Sequence, residues 1–141
     1  MMVKDVMNTN VVVAKLEATI REASEVMDKY NIGSLVVIGE KGIAGIITEH
    51  NILETVAANK NPDETKVGDV MSPEVVTVSP DSTIEQAVDL MVEHKIKKLP
   101  VVEGDKLLGI ITASDIIVVE PKLVASIANL ISMKMPAYSG G

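Results

Sequence analysis

The chain has 141 residues, 47% of them hydrophobic, enough to bury a core in one compact domain or in two small halves that share one. A formal charge of −7 at pH 7, no Phe or Trp, and only Tyr30 and Tyr138 as aromatics argue against a nucleic-acid partner, which calls for a basic footprint or stacking side chains. Zero Cys excludes disulfides and thiolate metal sites, and neither a signal-like apolar core nor a run of membrane-spanning length is present, so a cytoplasmic protein without a membrane role is expected.

In chain order, the dominant feature is a two-fold repeat. Gly-Ile-Ile-Thr-Glu-His-Asn at 45–51 returns as Gly-Ile-Ile-Thr-Ala-Ser-Asp at 109–115, an offset of 64 (109 − 45), and the same offset carries Val3 to Val67 and Thr19 to Thr83. Self-similarity over so long a period signals stacked structural units. Each unit opens on a short amphipathic turn, Val-Lys-Asp-Val-Met ending at Met7 and Val-Gly-Asp-Val-Met ending at Met71. The β-branched runs at 11–14 and 75–78 then predict strands. Thr19-Ile-Arg-Glu22 and Thr83-Ile-Glu-Gln86 fit the capping box, in which the Thr and the Glu or Gln satisfy each other's unpaired amides, and Pro80 and Asp81 reinforce the second start. Behind these caps Ile20, Ala23, Met27 and Tyr30, matched by Ile84, Ala87, Met91 and a polar His94, recur at helical spacing and predict one buried stripe per helix.

Segments 35–38 and 99–102 read as strands, 39–42 and 103–106 as turns, and 43–47 and 107–111 as further strands. A helix follows over 49–58. Its counterpart after Ala113 is β-branched and soon meets Pro121, which leaves its length open. The expected organisation is a first repeat over 1–60, a polar linker at 61–66, a second repeat over 67–121, and a C-terminal helix and tail at 122–141. In that helix Leu123, Val124, Ile127, Ala128 and Ile131 share a face, suited to completing the second half or to a dimer contact, and 133–141 reads as a frayed tail. The two sheets are expected to pack about a pseudo-two-fold axis, leaving two clefts lined by residues of both halves.

The Thr-x-x-Asp and Thr-x-x-Asn turns carry the candidate chemistry. Each runs from a strand into a first helical turn, whose backbone N–H groups lack intrahelical partners and attract anions. Asp115 fits two roles, of which its pattern alone favours the first: an acid in a helix cap beside Thr112, or a carboxylate taking hydrogen bonds from neighbouring ribose hydroxyls. Asn51, beside Thr48, has one acceptor oxygen and no charge, so its grip on a ribose would be weaker. The cluster Lys95-Ile-Lys-Lys98 is dense positive charge on an acidic chain, either a solvated face or a phosphate contact. His50 and His94 share no metal-ligand spacing, Ser114 and Asp115 have no nearby base for a nucleophilic triad, and no Gly-x-x-x-x-Gly-Lys phosphate loop occurs, so neither a metal site nor an enzyme is expected.

The order of these motifs resembles paired cystathionine β-synthase (CBS) domains, the Bateman module: Asp-Val-Met with Ser72-Pro73 after the second copy, the Thr-capped helix, Lys-Lys-Leu-Pro-Val-Val at 97–102, and Gly-Ile-Ile-Thr-x-x-Asp/Asn. It covers nearly all of 3–121 and is similar to stand-alone archaeal or bacterial pairs and, more distantly, to the gamma subunit of AMP-activated protein kinase. The resemblance implies an α/β (α+β) fold of two β-α-β-β-α repeats, regulation rather than catalysis, and an adenosine derivative (AMP, ADP, ATP or S-adenosylmethionine) as regulatory ligand with no required cofactor. It also implies a homodimer and a regulated protein partner. Carried onto this sequence, the ribose-holding role falls on Asp115 with Thr112 and the adjoining Ser114, and the phosphate-facing role on Lys97 and Lys98. Family geometry sets the loop of one half against the Thr-x-x-Asp of the other, bringing Ile32, Gly33 and Ser34 to the Asp115 cleft with Val12 against the base. The mates Ile96 and Val76 would join Thr48, Asn51 and His50 in a weaker or empty second cleft. With no aromatic sandwich, adenine would lie between aliphatic side chains. The rival expectation is a dimerisation or docking module whose clefts are vestigial.

Overall fold

The computed structural model of the protein describes residues 1–132, so the expected tail at 133–141 lies outside the described residues. In chain order the elements are α1 (Val3–Val6), β1 (Val13–Lys15), α2 (Ile20–Tyr30), β2 (Ser34–Gly39), β3 (Gly42–Thr48), α3 (Glu49–Ala57), α4 (Val67–Val70), α5 (Ile84–His94), β4 (Lys98–Glu103), β5 (Lys106–Thr112), α6 (Ala113–Val119), a 3-10 turn (Pro121–Leu123) and α7 (Val124–Ser132). They form two compact units: a middle unit, Val12–Val75, and a split unit made of Met1–Val11 together with the chain from Val76 onward. The compact units are therefore shifted along the chain relative to the sequence repeats.

In the middle unit a three-stranded sheet runs in the order β1-β2-β3. β1 and β2 are parallel, joined by α2 as the crossover, while β2 and β3 form an antiparallel hairpin. α2 starts as its sequence dictates, Thr19 accepting from the Glu22 N–H while the Glu22 side chain accepts from the Thr19 N–H at 2.9 Å. It buries Ile20, Ala23 and Met27 against Leu35, Val37 and Ile47. Tyr30, predicted in the same stripe, is instead 51% exposed. It is the last helical residue before Asn31 turns left-handed, and the Lys29 ammonium lies 5.3 Å from its ring centre. α4 closes the unit by burying Val67 and by a bridge in which Ile46 and Ser72 each donate a backbone N–H to the other's carbonyl at 2.9 Å. That approach requires Gly45, where a Cβ would stand 2.6 Å from the Ser72 carbonyl oxygen.

The split unit repeats the plan with α1 in the place of α4. Val3 is fully buried in a cluster with Val78, Ile84, Met91, Leu99 and Ile111, its N–H donating to the Ser82 carbonyl at 2.8 Å. Asn8 and Ile110 exchange backbone hydrogen bonds of 2.8 and 2.9 Å across Gly109. The strand predicted over 75–78 is reduced to one parallel bridge, Val78 to Val101, with β4 and β5 as a two-stranded hairpin beside it. The cause is Pro100. Val78 donates to the Pro100 carbonyl and accepts from the Val102 N–H, so the next rung would need an N–H at residue 100, and proline has none. The matching residue of the middle unit is Val36, and there a true strand forms.

α6 stops after seven residues ahead of Pro121. The expected C-terminal helix is present and completes this unit, with Ile127 and Leu130 buried in its core, whereas Val124 and Ala128 of the predicted face are exposed.

Candidate functional site

The candidate residues fall into two groups, one per unit. In the split unit, Lys98 opens β4 opposite Thr112 at the end of β5, and the Lys97 carbonyl accepts from the Ala113 N–H at 2.8 Å. Lys97, Lys98, Thr112 and the α6 start therefore occupy one corner, with Asp115 one turn into the helix. Ser114 is exposed on the same turn, and Ile96 and Val76 are half-buried against the unit's core. Lys98 is itself half-buried, and that burial holds its ammonium below the ordinary value of 10.5, so in this corner its charge is only partly hydrated.

Four helices begin on a Thr whose side chain accepts from the N–H three residues on. In three of them the side chain at that third position returns a bond to the Thr N–H: Glu22, Asn51 and Gln86, each at 2.9 Å. The fourth is different. Asp115 donates its backbone N–H to Thr112 Oγ1 at 3.1 Å, yet no capping box forms, and among the described residues its carboxylate accepts no hydrogen bond. Both oxygens of a half-buried carboxylate thus stand available in the corner that holds two lysines.

The middle unit builds the same corner with other chemistry. Ser34 pairs with Thr48, and the Glu49 N–H donates to the Gly33 carbonyl at 3.1 Å. Asn51 is only 7% exposed, and its Oδ1 already accepts from both the N–H and the hydroxyl of Thr48 at 2.9 Å. Glu49 leans over the loop, its Oε1 2.6 Å from where a Cβ on Gly33 would stand. The repeat mates of Gly33 and Glu49 are Lys97 and Ala113, so an acid here takes the place of an amine there. Sequence reasoning missed Glu49; the signal was the offset of 64, which sets it against a neutral Ala113. Val12 and Ile32 are half-buried against this unit's core. His50 is exposed, its Nε2 3.7 Å from Glu54, and it does not itself line the cavity of about 310 Å³ to which Asn51, Glu54, Thr55, Lys60, Asp69 and Val70 contribute.

Among the described residues no group of three or more His, Asp or Glu could hold a metal ion, and no helix is long and apolar enough to cross a membrane. Two copies of one small α/β unit, each presenting a Thr-led helix start beside the opening of a strand, define a tandem-repeat module. The CBS domain family model matches residues 3–58 and 67–121, and the chain belongs to that family as a pair of CBS domains. It is 34% identical over 116 residues to the CBS domain-containing protein YhcV of Bacillus subtilis, covering 82% of this chain and 83% of that protein. It is 41% identical over 128 residues to the protein MK0525 of Methanopyrus kandleri, covering 89% of this chain but only 65% of that protein's length. Among solved structures, the CBS domain pair of the protein MJ0100, crystallised with 5′-methylthioadenosine and S-adenosylmethionine, is similar with a TM-score of 0.75 and 27% identity, over 86% of this chain and 97% of that one.

Proposed function

We propose that this CBS pair is a regulatory sensor, not an enzyme, and that it binds an adenosine derivative at the corner made by Thr112, Asp115, Lys97 and Lys98. The observation that carries the reading is the open Asp115 cap. A carboxylate that is not engaged by its own helix can accept from two neighbouring ribose hydroxyls, and the lysines beside it suit phosphates. The first-repeat corner is the poorer site: Asn51 has spent its only acceptor, and Glu49 repels phosphate. One ligand per chain follows. The likeness to the MJ0100 pair supports the adenosine class. Homodimerisation, a cytoplasmic setting and a protein that reads the bound state belong to the same proposal, since a ligand switches a module only by binding its states unequally.

Calorimetric titration of the chain with AMP, ADP, ATP, S-adenosylmethionine and 5′-methylthioadenosine tests it. A stoichiometry near one is expected. Asp115→Ala should weaken binding on the order of tenfold to a hundredfold, the worth of hydrogen bonds to a charged group. Lys97→Ala should weaken the phosphorylated ligands more than the sulfonium. Asn51→Asp should not add a second site, because the new carboxylate is still claimed by the Thr48 cap. Absence of heat from every ligand, or an unchanged affinity in Asp115→Ala, would refute the proposal and leave the docking module with vestigial clefts, which the closed Asn51 cap already favours for the first repeat.

A further inference from the structure

Among the described residues two polar side chains are buried, Asn51 and Thr55, and both line the cavity of about 310 Å³ between α3 and α4 of the middle unit. The Asn51 Oδ1 is taken up by the N–H and hydroxyl of Thr48, at 2.9 Å each, which leaves the amide nitrogen of a 93% buried side chain without an acceptor. That nitrogen is not sealed in, since among the described residues no enclosed side-chain nitrogen or oxygen lacks a partner, and so it meets the space that Asn51 lines. The Thr55 hydroxyl donates to the Asn51 carbonyl at 2.9 Å and keeps its own lone pairs for a donor.

The rim is charged. Lys60, whose backbone N–H donates to the Thr55 carbonyl at 3.1 Å, stands there with Glu54 of α3 and Asp69 of α4, and neither Lys60 nor Asp69 forms an ion pair among the described residues. The fold does not ask for this polarity: 64 positions on, the mates of Glu54, Thr55 and Lys60 are Val118, Val119 and Val124. Burying polar groups short of partners costs free energy, which a ligand that bonds them restores. The donor set selects that ligand. The Asn51 amide and the Lys60 ammonium suit a carboxylate, whereas the two acids and the Thr55 oxygen suit an ammonium, and one amine against two acids disfavours a bare anion. The volume lies at the small end of ligand cavities, about 300–1,000 Å³, and Ala58 and Val70 leave a short apolar wall. We propose that this cavity of the first repeat binds a free α-amino acid with a small aliphatic side chain, its carboxylate on Asn51 and Lys60 and its ammonium on Glu54 and Asp69.

The test titrates the isotope-labelled full chain, without nucleotide, with L-valine and follows the Asn51 side-chain amide and the Lys60 backbone amide by NMR. Saturable shifts at both are expected. Isobutylamine, which lacks the carboxylate, and isovalerate, which lacks the ammonium, should bind more weakly by about tenfold or more. Asn51→Asp keeps an acceptor for the Thr48 cap but turns the amide donor into an acceptor, and should weaken valine on the order of tenfold, read at Lys60. Lys60→Gln, an exposed change that should melt like the parent, should weaken it several-fold. Asp115→Ala should leave valine binding unchanged, which separates this result from the fate of the nucleotide site. Absence of saturable shifts, equal binding of isovalerate or isobutylamine, or indifference to Asn51→Asp and Lys60→Gln would overturn the proposal.

Discussion

Gly109→Ala tests whether the N-terminal segment is part of the unit that contains the second repeat. A Cβ at Gly109 would stand 2.8 Å from the Asn8 carbonyl oxygen and 2.9 Å from Met7 Sδ. The Met7 side chain can swing aside. The carbonyl can retreat only by giving up the pair in which Asn8 and Ile110 each donate to the other, at 2.8 and 2.9 Å. Two backbone hydrogen bonds at about 0.5–1.5 kcal/mol each set the loss at about 1–3 kcal/mol. The lower unfolded-state entropy of Ala offsets about 0.5 kcal/mol of that. Urea denaturation should therefore show a net loss of about 0.5–2.5 kcal/mol, and hydrogen exchange should show the amides of Asn8 and Ile110 losing protection while Ile46 and Ser72 keep theirs. Gly45→Ala, which places its Cβ 2.6 Å from the Ser72 carbonyl oxygen, should do the reverse. If Gly109→Ala leaves Asn8 and Ile110 protected, or loosens Ile46 and Ser72 instead, the assignment of α1 to the split unit is wrong.

Lys95 closes α5 in the left-handed conformation at φ 56°, so Lys95→Gly should stabilise the chain by about 0.5–1 kcal/mol in thermal or urea unfolding, and a loss would contradict it. The Thr19 N–H and hydroxyl hold the Glu22 carboxyl below its ordinary value of 4.5, so its contribution is fully present above that value and fades as pH falls through the lower folded one. Glu22→Gln, copying Gln86 of the second repeat, should keep stability near pH 7 and flatten the acid limb of the stability profile; an unchanged acid limb would show that Glu22 does not shape it. Pro100→Val supplies the missing donor and should give a protected amide at residue 100 bonded to Val76. The net stability change should stay within about 1 kcal/mol, because the loss of proline's rigidity offsets the new bond, and free exchange at that amide would refute the rung argument.

The site was only partly legible. Thr112 and Asp115 at a helix start, and Lys97 and Lys98 at the mouth of a strand, follow from motif spacing. The repeat also brings Gly33 and Ser34 to the matching place beside Thr48 and Asn51. That Asn51 turns its oxygen into the cap while Asp115 does not cannot be read from two patterns that both permit a cap. Glu49 over Gly33 was obscured for a related reason, since an acid in a first helical turn is favourable without any site.

By itself the sequence determined what is governed by neighbours three or four residues apart: the repeat, the Thr-led caps, the buried stripes of α2 and α5, and the two hairpins. Tertiary structure alone decided three matters. α1 joined the split unit and α4 the middle one, because a four-residue helix has too little local free energy to choose its place and takes it from strands far along the chain, β5 for α1 and β3 for α4. The strand predicted before Val78 failed because the residue across from it, more than twenty positions later, is Pro100. And α7 packed on α5 of the split unit, a choice that depends on what lies opposite a stripe, about which the stripe's own periodicity is silent.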